Sequence, residues 1–180
     1  MKYKSSSIKS KWKKTQWLME EAYFRKYIPA TLPFSKKNLK SMLSDYANVY
    51  FKPTGGSGGN NIIRIRKTDQ GYQKQLNTKK TTYENTDQLF RELNRHAGSR
   101  PYLLQKGIRL AKSNGKPFDT RVMVQKTTQG NWVSTVLFTK IGNPSKVATN
   151  YNQGGTIGTF NRTMARAGFD ALSSSRWNRN

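Results

Sequence analysis

The chain has 180 residues, with 33 Lys and Arg against 9 Asp and Glu, a formal net charge of +24, and no cysteine. That length accommodates one domain or two small lobes. The missing thiols exclude a disulfide framework, a thiol nucleophile and a zinc–thiolate site. The charge draws polyanions, whether nucleic acid, an anionic surface or polymer, or a nucleotide, without choosing among them. Only 34% of residues are hydrophobic, yet 4 Trp, 9 Tyr and 8 Phe supply enough buried area to predict a folded chain rather than a disordered one.

In chain order, residues 1–10 are Ser- and Lys-rich and predict a flexible basic arm. No apolar run follows this arm, and Ile28–Phe34 is short and interrupted by Pro29 and Pro33, so neither a signal peptide nor a membrane span is predicted. A cytoplasmic, soluble protein is the default expectation. Trp17, Leu18, Ala22, Tyr23 and Tyr27 recur at helical spacing, with Thr15 as the expected N-cap and Pro29 as the stop. Ser35 is placed to cap a second helix with a stripe of Leu39, Met42, Leu43 and Tyr46. The segment from Asn48 to Pro53 has the β-branched and aromatic content of a strand, as do Ile62–Lys67, Gly71–Leu76 and Thr78–Tyr83. A helix is expected from Thr86 to Gly98, with Leu89, Phe90 and Leu93 on one face, followed by a short buried strand at Tyr102–Lys106. Lys116–Lys126 and Trp132–Lys140 predict paired strands joined by a hairpin at Thr127–Asn131. One or two helical turns follow around Phe160, Met164 and Ala167, before a polar, basic end. The sum is a helical N-terminal piece and an α+β body with mainly antiparallel sheets.

The densest signal is Gly55, Gly56, Gly58 and Gly59, four glycines in five positions that follow Lys52. Successive N–H groups in such a turn suit phosphate oxygens, and a lysine adds a point charge. The loop fits neither G-x-x-x-x-G-K-[ST], since Asn60 and Asn61 stand where Lys and Ser/Thr are needed, nor G-x-G-x-x-G, whose third glycine falls on Asn61. What remains is a strand–glycine loop–strand lid, or a plain flexible connector.

Six blocks occur in order: Lys11-Trp12; Arg25–Thr31; Val49–Gly59; Leu103–Ile108; Pro117–Lys126; and Val147–Gly155. Together, from about Lys11 to Gly155, they resemble the YheC/YheD-like ATP-grasp proteins of spore-forming bacteria, a spore-coat-associated family. The resemblance implies an ATP-grasp-like fold of two small α+β lobes with an ATP cleft between them. It divides the chain into a helical segment at 11–46, a glycine-hairpin lid lobe at 47–108, a C-terminal lobe at 109–160 and a basic tail at 161–180. It implies that Lys11 and Lys52 are the nucleotide-binding lysines and that Gly55, Gly56, Ser57, Gly58 and Gly59 cover the phosphates. Gln105, Lys106, Gly107 and Ile108 would lie along the adenine. Asp119 and Arg121 would stand at the phosphate end with Asn150, and Arg121 would be the catalytic group. An alternative for Arg121 is a simple pairing with Asp119 at a sheet edge. The implied chemistry is transfer of the γ-phosphate to a carboxylate, followed by attack of an amine, which depends on cations, N–H groups and Mg²⁺ rather than on a nucleophile. His96, near a helix end, is expected at the surface or in a cap.

The sequence departs from the family where Mg²⁺ would be held. After Asp119 only one acid, Asp170, occurs and there is no Glu, and Lys140 stands where relatives tend to have arginine. The final metal-binding strands of the family are therefore expected to be missing. ATP is the expected ligand, Mg²⁺ a doubtful one, and turnover as a carboxylate–amine ligase is left open. A ligase completed by metal ligands from a partner chain is a further alternative. So is a non-enzymatic protein that binds nucleic acid or an anionic polymer through charge and through neighbours such as Lys11-Trp12-Lys13. The expected location is the cytoplasm or spore coat of a spore-forming bacterium, with coat components as partners.

Overall fold

A computed structural model describes residues 8–147 and 154–169. The chain divides into two compact units, residues 1–108 and 109–180.

The first unit opens with helix α1 (Lys11–Glu20), whose N-cap is Ser10, with its side chain accepting from Lys13 N. This corrects the expected cap at Thr15, whose hydroxyl instead donates to the carbonyl of Lys11 inside the helix. The chain turns extended at Glu21 and continues as the single turn α2 (Ala22–Arg25). Neither helix buries a residue, and Trp17, Leu18, Met19, Tyr23, Phe24 and Tyr27 are exposed. Helix α3 (Lys36–Asp45) is capped by Ser35, and α4 (Thr86–Ala97) by Asn85, which accepts from the amides of Asp87 and Gln88. Gly98 ends α4 with a positive φ of 57°.

Six antiparallel strands form one sheet in the order β1-β6-β2-β3-β4-β5. They are β1 (Thr31–Pro33), β2 (Asn48–Pro53), β3 (Ile63–Thr68), β4 (Gly71–Leu76), β5 (Lys79–Tyr83) and β6 (Tyr102–Lys106). Because side chains alternate between faces, the register sorts them into rows. Leu32, Leu104, Phe51, Ile63 and Leu76 form one row. It faces Leu39, Met42 and Leu43 of α3 and Leu89, Leu93 and Ala97 of α4, and these residues close the core. Each fully buried Leu, Ile or Phe there contributes about 1.5–3 kcal/mol by leaving water. The opposite face carries the row Thr31, Gln105, Tyr50, Arg64, Gln75 and Lys80. No strand of this sheet contains an Asp or Glu.

The second unit is built on a long ribbon of β8 (Lys116–Lys126) and β9 (Trp132–Ile141), bulged between Met123 and Val124. The two-residue β7 (Lys112–Ser113) pairs only with Lys116 and Pro117, and β10 (Thr156–Thr159) only with Phe138–Ile141. Helix α5 (Phe160–Arg166) follows β10 directly. Its Thr163 hydroxyl meets that of Thr139 at 2.7 Å, and Thr139 donates to Gly158 O at 3.1 Å. Among the described residues no third strand pairs with the far half of the ribbon, and Val122, Met123, Val124, Trp132, Val133 and Val136 are exposed.

Candidate functional site

The glycine loop joins β2 to β3, as a strand–loop–strand hairpin requires. Positive φ angles at Gly56 (82°), Gly58 (74°), Gly59 (79°) and Asn61 (56°) explain why glycine recurs. At the root of the hairpin, the Lys52 ammonium donates to Gln105 Oε1 at 2.6 Å and lies 5.2 Å from the centre of the Tyr50 ring. Gln105 Nε2 in turn donates to Thr31 Oγ1 at 2.9 Å, and Thr31 Oγ1 donates to Pro29 O. This relay crosses three neighbouring strands and fixes the lysine's direction. Burial lowers the Lys52 pKa below the ordinary lysine value, and the nearby positive charge of Lys11 lowers it further.

Lys11 reaches the same loop from α1. Its ammonium donates to the carbonyls of Pro53 (3.0 Å), Gly55 (2.7 Å) and Gly56 (2.9 Å), and its backbone N–H donates to Thr54 O at 2.7 Å. Four consecutive carbonyls are thus turned towards one residue. In a trans peptide the N–H points opposite to the C=O, so the amides of Thr54, Gly55, Gly56 and Ser57 face the other way. Thr54 N–H is taken by Pro101 O, whereas no acceptor for the other three amides occurs among the described residues.

Along β6 and just beyond it, the amide of Lys106 donates to Ala30 O and that of Gly107 to Asn48 O. Gly107 has no room for a side chain: a Cβ there would stand 2.9 Å from Asn48 Cβ and 3.1 Å from the Tyr50 ring. The Lys106 ammonium lies over Tyr46, and Ile108 is exposed.

In the second unit, Asp119 and Arg121 share a face of β8, and Arg121 Nε donates to Asp119 Oδ1 at 2.6 Å. Lys140 of β9 pairs opposite Asp119. Asn150 lies outside the described residues. Lys11, Lys52, Gly55–Gly59 and Gln105–Ile108 all belong to the first unit, and Asp119 and Arg121 to the second. Sequence reasoning missed Thr31 and Tyr50 as supports of Lys52.

His96 is not a surface or capping residue. It lies half-buried beside Phe51 and Tyr102, with no hydrogen-bond partner for Nε2 among the described residues. Nor do the described residues gather three or more His, Cys, Asp or Glu side chains that would hold a metal. Among the described residues, the Asp119 carboxylate is engaged by Arg121. The loop amides of Gly55, Gly56 and Ser57, which have no acceptor among the described residues, and the Lys52 ammonium fit the oxygens of a polyphosphate.

These features define a class: an α+β protein with antiparallel sheets in two units, carrying a lysine-headed glycine hairpin and an Asp-x-Arg strand. The chain belongs to the YheC/D-like ATP-grasp family, whose sequence model matches residues 1–178. Membership implies ATP binding. The chain is also similar to the endospore coat-associated protein YheD of Bacillus subtilis (strain 168), at 30% identity over 157 residues. That match covers 84% of this chain and 35% of YheD, so the chain spans well under two thirds of its relative's length. No helix among the described residues is long and apolar enough to cross a membrane.

Proposed function

We propose that the chain is an ATP-binding, coat-associated protein derived from carboxylate–amine ligases, and that it binds nucleotide without transferring phosphate by itself. The observation that carries the reading is a largely buried Lys52 at the root of a glycine loop whose Gly55, Gly56 and Ser57 amides have no acceptor among the described residues. Lys52 and the segment Gly55–Gly59 would hold the phosphates, with the base along Gln105–Ile108. Asp119, Arg121 and Asn150 would form the phosphate end, with Arg121 stabilising charge on a transferring group in a complete ligase. The lack of a carboxylate cluster among the described residues favours binding over turnover. Association with the spore coat rests on the likeness to YheD.

Titration with a non-hydrolysable ATP analogue, with and without Mg²⁺, tests this reading. Binding of similar affinity in both conditions, with no phosphate release from ATP, is expected. A strong requirement for the metal, or release of phosphate with amino-acid or peptide acceptors, overturns the non-transferring part of the reading.

A second reading, charge-driven binding of nucleic acid or an anionic polymer, is favoured by the carboxylate-free strands of the six-stranded sheet. Salt separates the two, because counterion release makes polyanion binding fall steeply as salt rises. A weak salt dependence for the nucleotide analogue supports the first reading.

A further inference from the structure

Lys11 is bonded in a way that a phosphate-contacting lysine is not. An ammonium has three N–H donors, and here they meet three carbonyl oxygens, those of Pro53, Gly55 and Gly56, at 2.7–3.0 Å. The backbone N–H of the same residue takes the carbonyl between them, that of Thr54. One residue therefore satisfies an unbroken run of four carbonyls at the entrance to a loop that otherwise has little to hold it. Gly56, Gly58 and Gly59 adopt backbone angles that side chains rarely allow, and Gly55 and Gly56 have open space around their α-carbons. The helix carrying Lys11 buries no side chain, so the clasp does not arise as a by-product of core packing.

We propose that Lys11 is the positioning residue of the glycine hairpin. Its ammonium fills a carbonyl cage, fixes the plane of each peptide from Pro53 to Ser57, and so presents the amides of Gly55, Gly56 and Ser57 on the side away from α1. Lys11 acts on a bound phosphate through the loop, whereas Lys52 touches the phosphate itself. The inference deepens the ATP-binding reading and rests on it for the identity of the anion. The clasp also couples two elements: the start of α1 is held only as firmly as the loop, and a ligand that orders the loop also orders the start of α1.

The test combines a truncation with chemical rescue in the full chain. Lys11→Ala removes the ammonium and its stem, leaving space for n-propylammonium; n-propanol is the neutral control. In the nucleotide-free protein, Lys11→Ala is expected to speed hydrogen exchange at the amides of residues 55–59 by about tenfold or more, the scale of losing charge-assisted bonds. It should weaken binding of the ATP analogue to a similar degree. Added n-propylammonium should restore both, and n-propanol neither. Lys52→Met should weaken binding by roughly 10- to 150-fold while leaving exchange of the free loop at the wild-type rate. Circular dichroism of Lys11→Ala should match wild type, since no core residue changes.

Wild-type exchange in nucleotide-free Lys11→Ala, together with weakened binding, overturns the proposal and makes Lys11 a direct ligand. Faster exchange that the amine does not restore also overturns it, because the effect then lies in helix packing. Faster, amine-restored exchange with unchanged affinity supports the clasp and instead sinks the phosphate reading of the hairpin.

Discussion

Lys52 sits with its ammonium against Gln105 and above the Tyr50 ring, and burial is the main reason its pKa is lowered. The charged form is disfavoured in the free protein, so the cost is present below the folded pKa and relieved as pH rises towards 10.5. A bound polyphosphate reverses this preference. Lys52→Met should leave the nucleotide-free protein as stable as wild type or up to about 1 kcal/mol more stable, while removing about 1.5–3 kcal/mol of affinity for an ATP analogue. Thermal melts with and without the analogue check both halves. A variant that melts lower yet binds normally would give Lys52 a structural role only. Acid acts at other residues. His96 has its pKa lowered, first by burial and then by Lys74 and Arg100. Its neutral form stabilises the fold above pH 6.5, and that stability is lost as pH falls from there towards the folded pKa. Glu92 is held below its usual value chiefly by its hydrogen bond from Lys74 at 2.7 Å, so its contribution is present above 4.5 and lost as pH falls through the folded pKa. Melting temperature should therefore decline in two stages on acidification. His96→Phe should remove the first at no cost at neutral pH, since Nε2 has no partner to lose among the described residues. Glu92→Gln should remove the second and cost roughly 1–2 kcal/mol at neutral pH.

Elements with their own local signals were legible in the sequence. The cap at Ser35 and the stop at Gly98 mark two helices whose apolar stripes pack on the sheet, whereas the cap at Asn85 was not read from the sequence. The glycine run between two β-rich segments marks the hairpin, and Lys52 is visible at its root. The start of α1 was misplaced because a helix that buries nothing has no apolar stripe to anchor its register, and Ser10 and Thr15 are both cap-forming residues. Strands β1 and β10 were missed for another reason: they are three and four residues long and exist by pairing with distant partners. The support of Lys52 was hidden in the same way, since Gln105 lies 53 residues from Lys52 and Thr31 lies 74 from Gln105. Gly107 looked like part of an adenine-binding segment, but packing gives it an independent reason to be glycine. Gly107→Ala should push the end of β6 away from Asn48 and Tyr50. We expect a loss of about 1–3 kcal/mol, the usual range for overpacking, together with weaker binding of the ATP analogue. Urea melts and titration on the same variant measure the two effects, and a variant with wild-type stability would show that the neighbours yield freely.

At the scale of the whole molecule, 33 cationic side chains face 9 anionic ones. Several of the carboxylates are already claimed: Asp87 by Lys36 and Lys40, Glu92 by Lys74 and Arg95, Asp119 by Arg121. The strands of the six-stranded sheet contribute none, although β3 alone carries Arg64, Arg66 and Lys67. Beyond Lys74, which pairs with Glu92 of α4, a sheet without acids of its own draws counter-ions from the surrounding solution. Multivalent anions then act as removable parts of the fold: at equal ionic strength, phosphate or sulfate should raise the melting temperature above its value in chloride. Equal melting in the three salts would mean that the strands are spaced widely enough to tolerate their own repulsion. The same dependence makes the protein's rigidity a readout of its surroundings, firmer wherever dense negative charge is at hand and looser in plain dilute buffer.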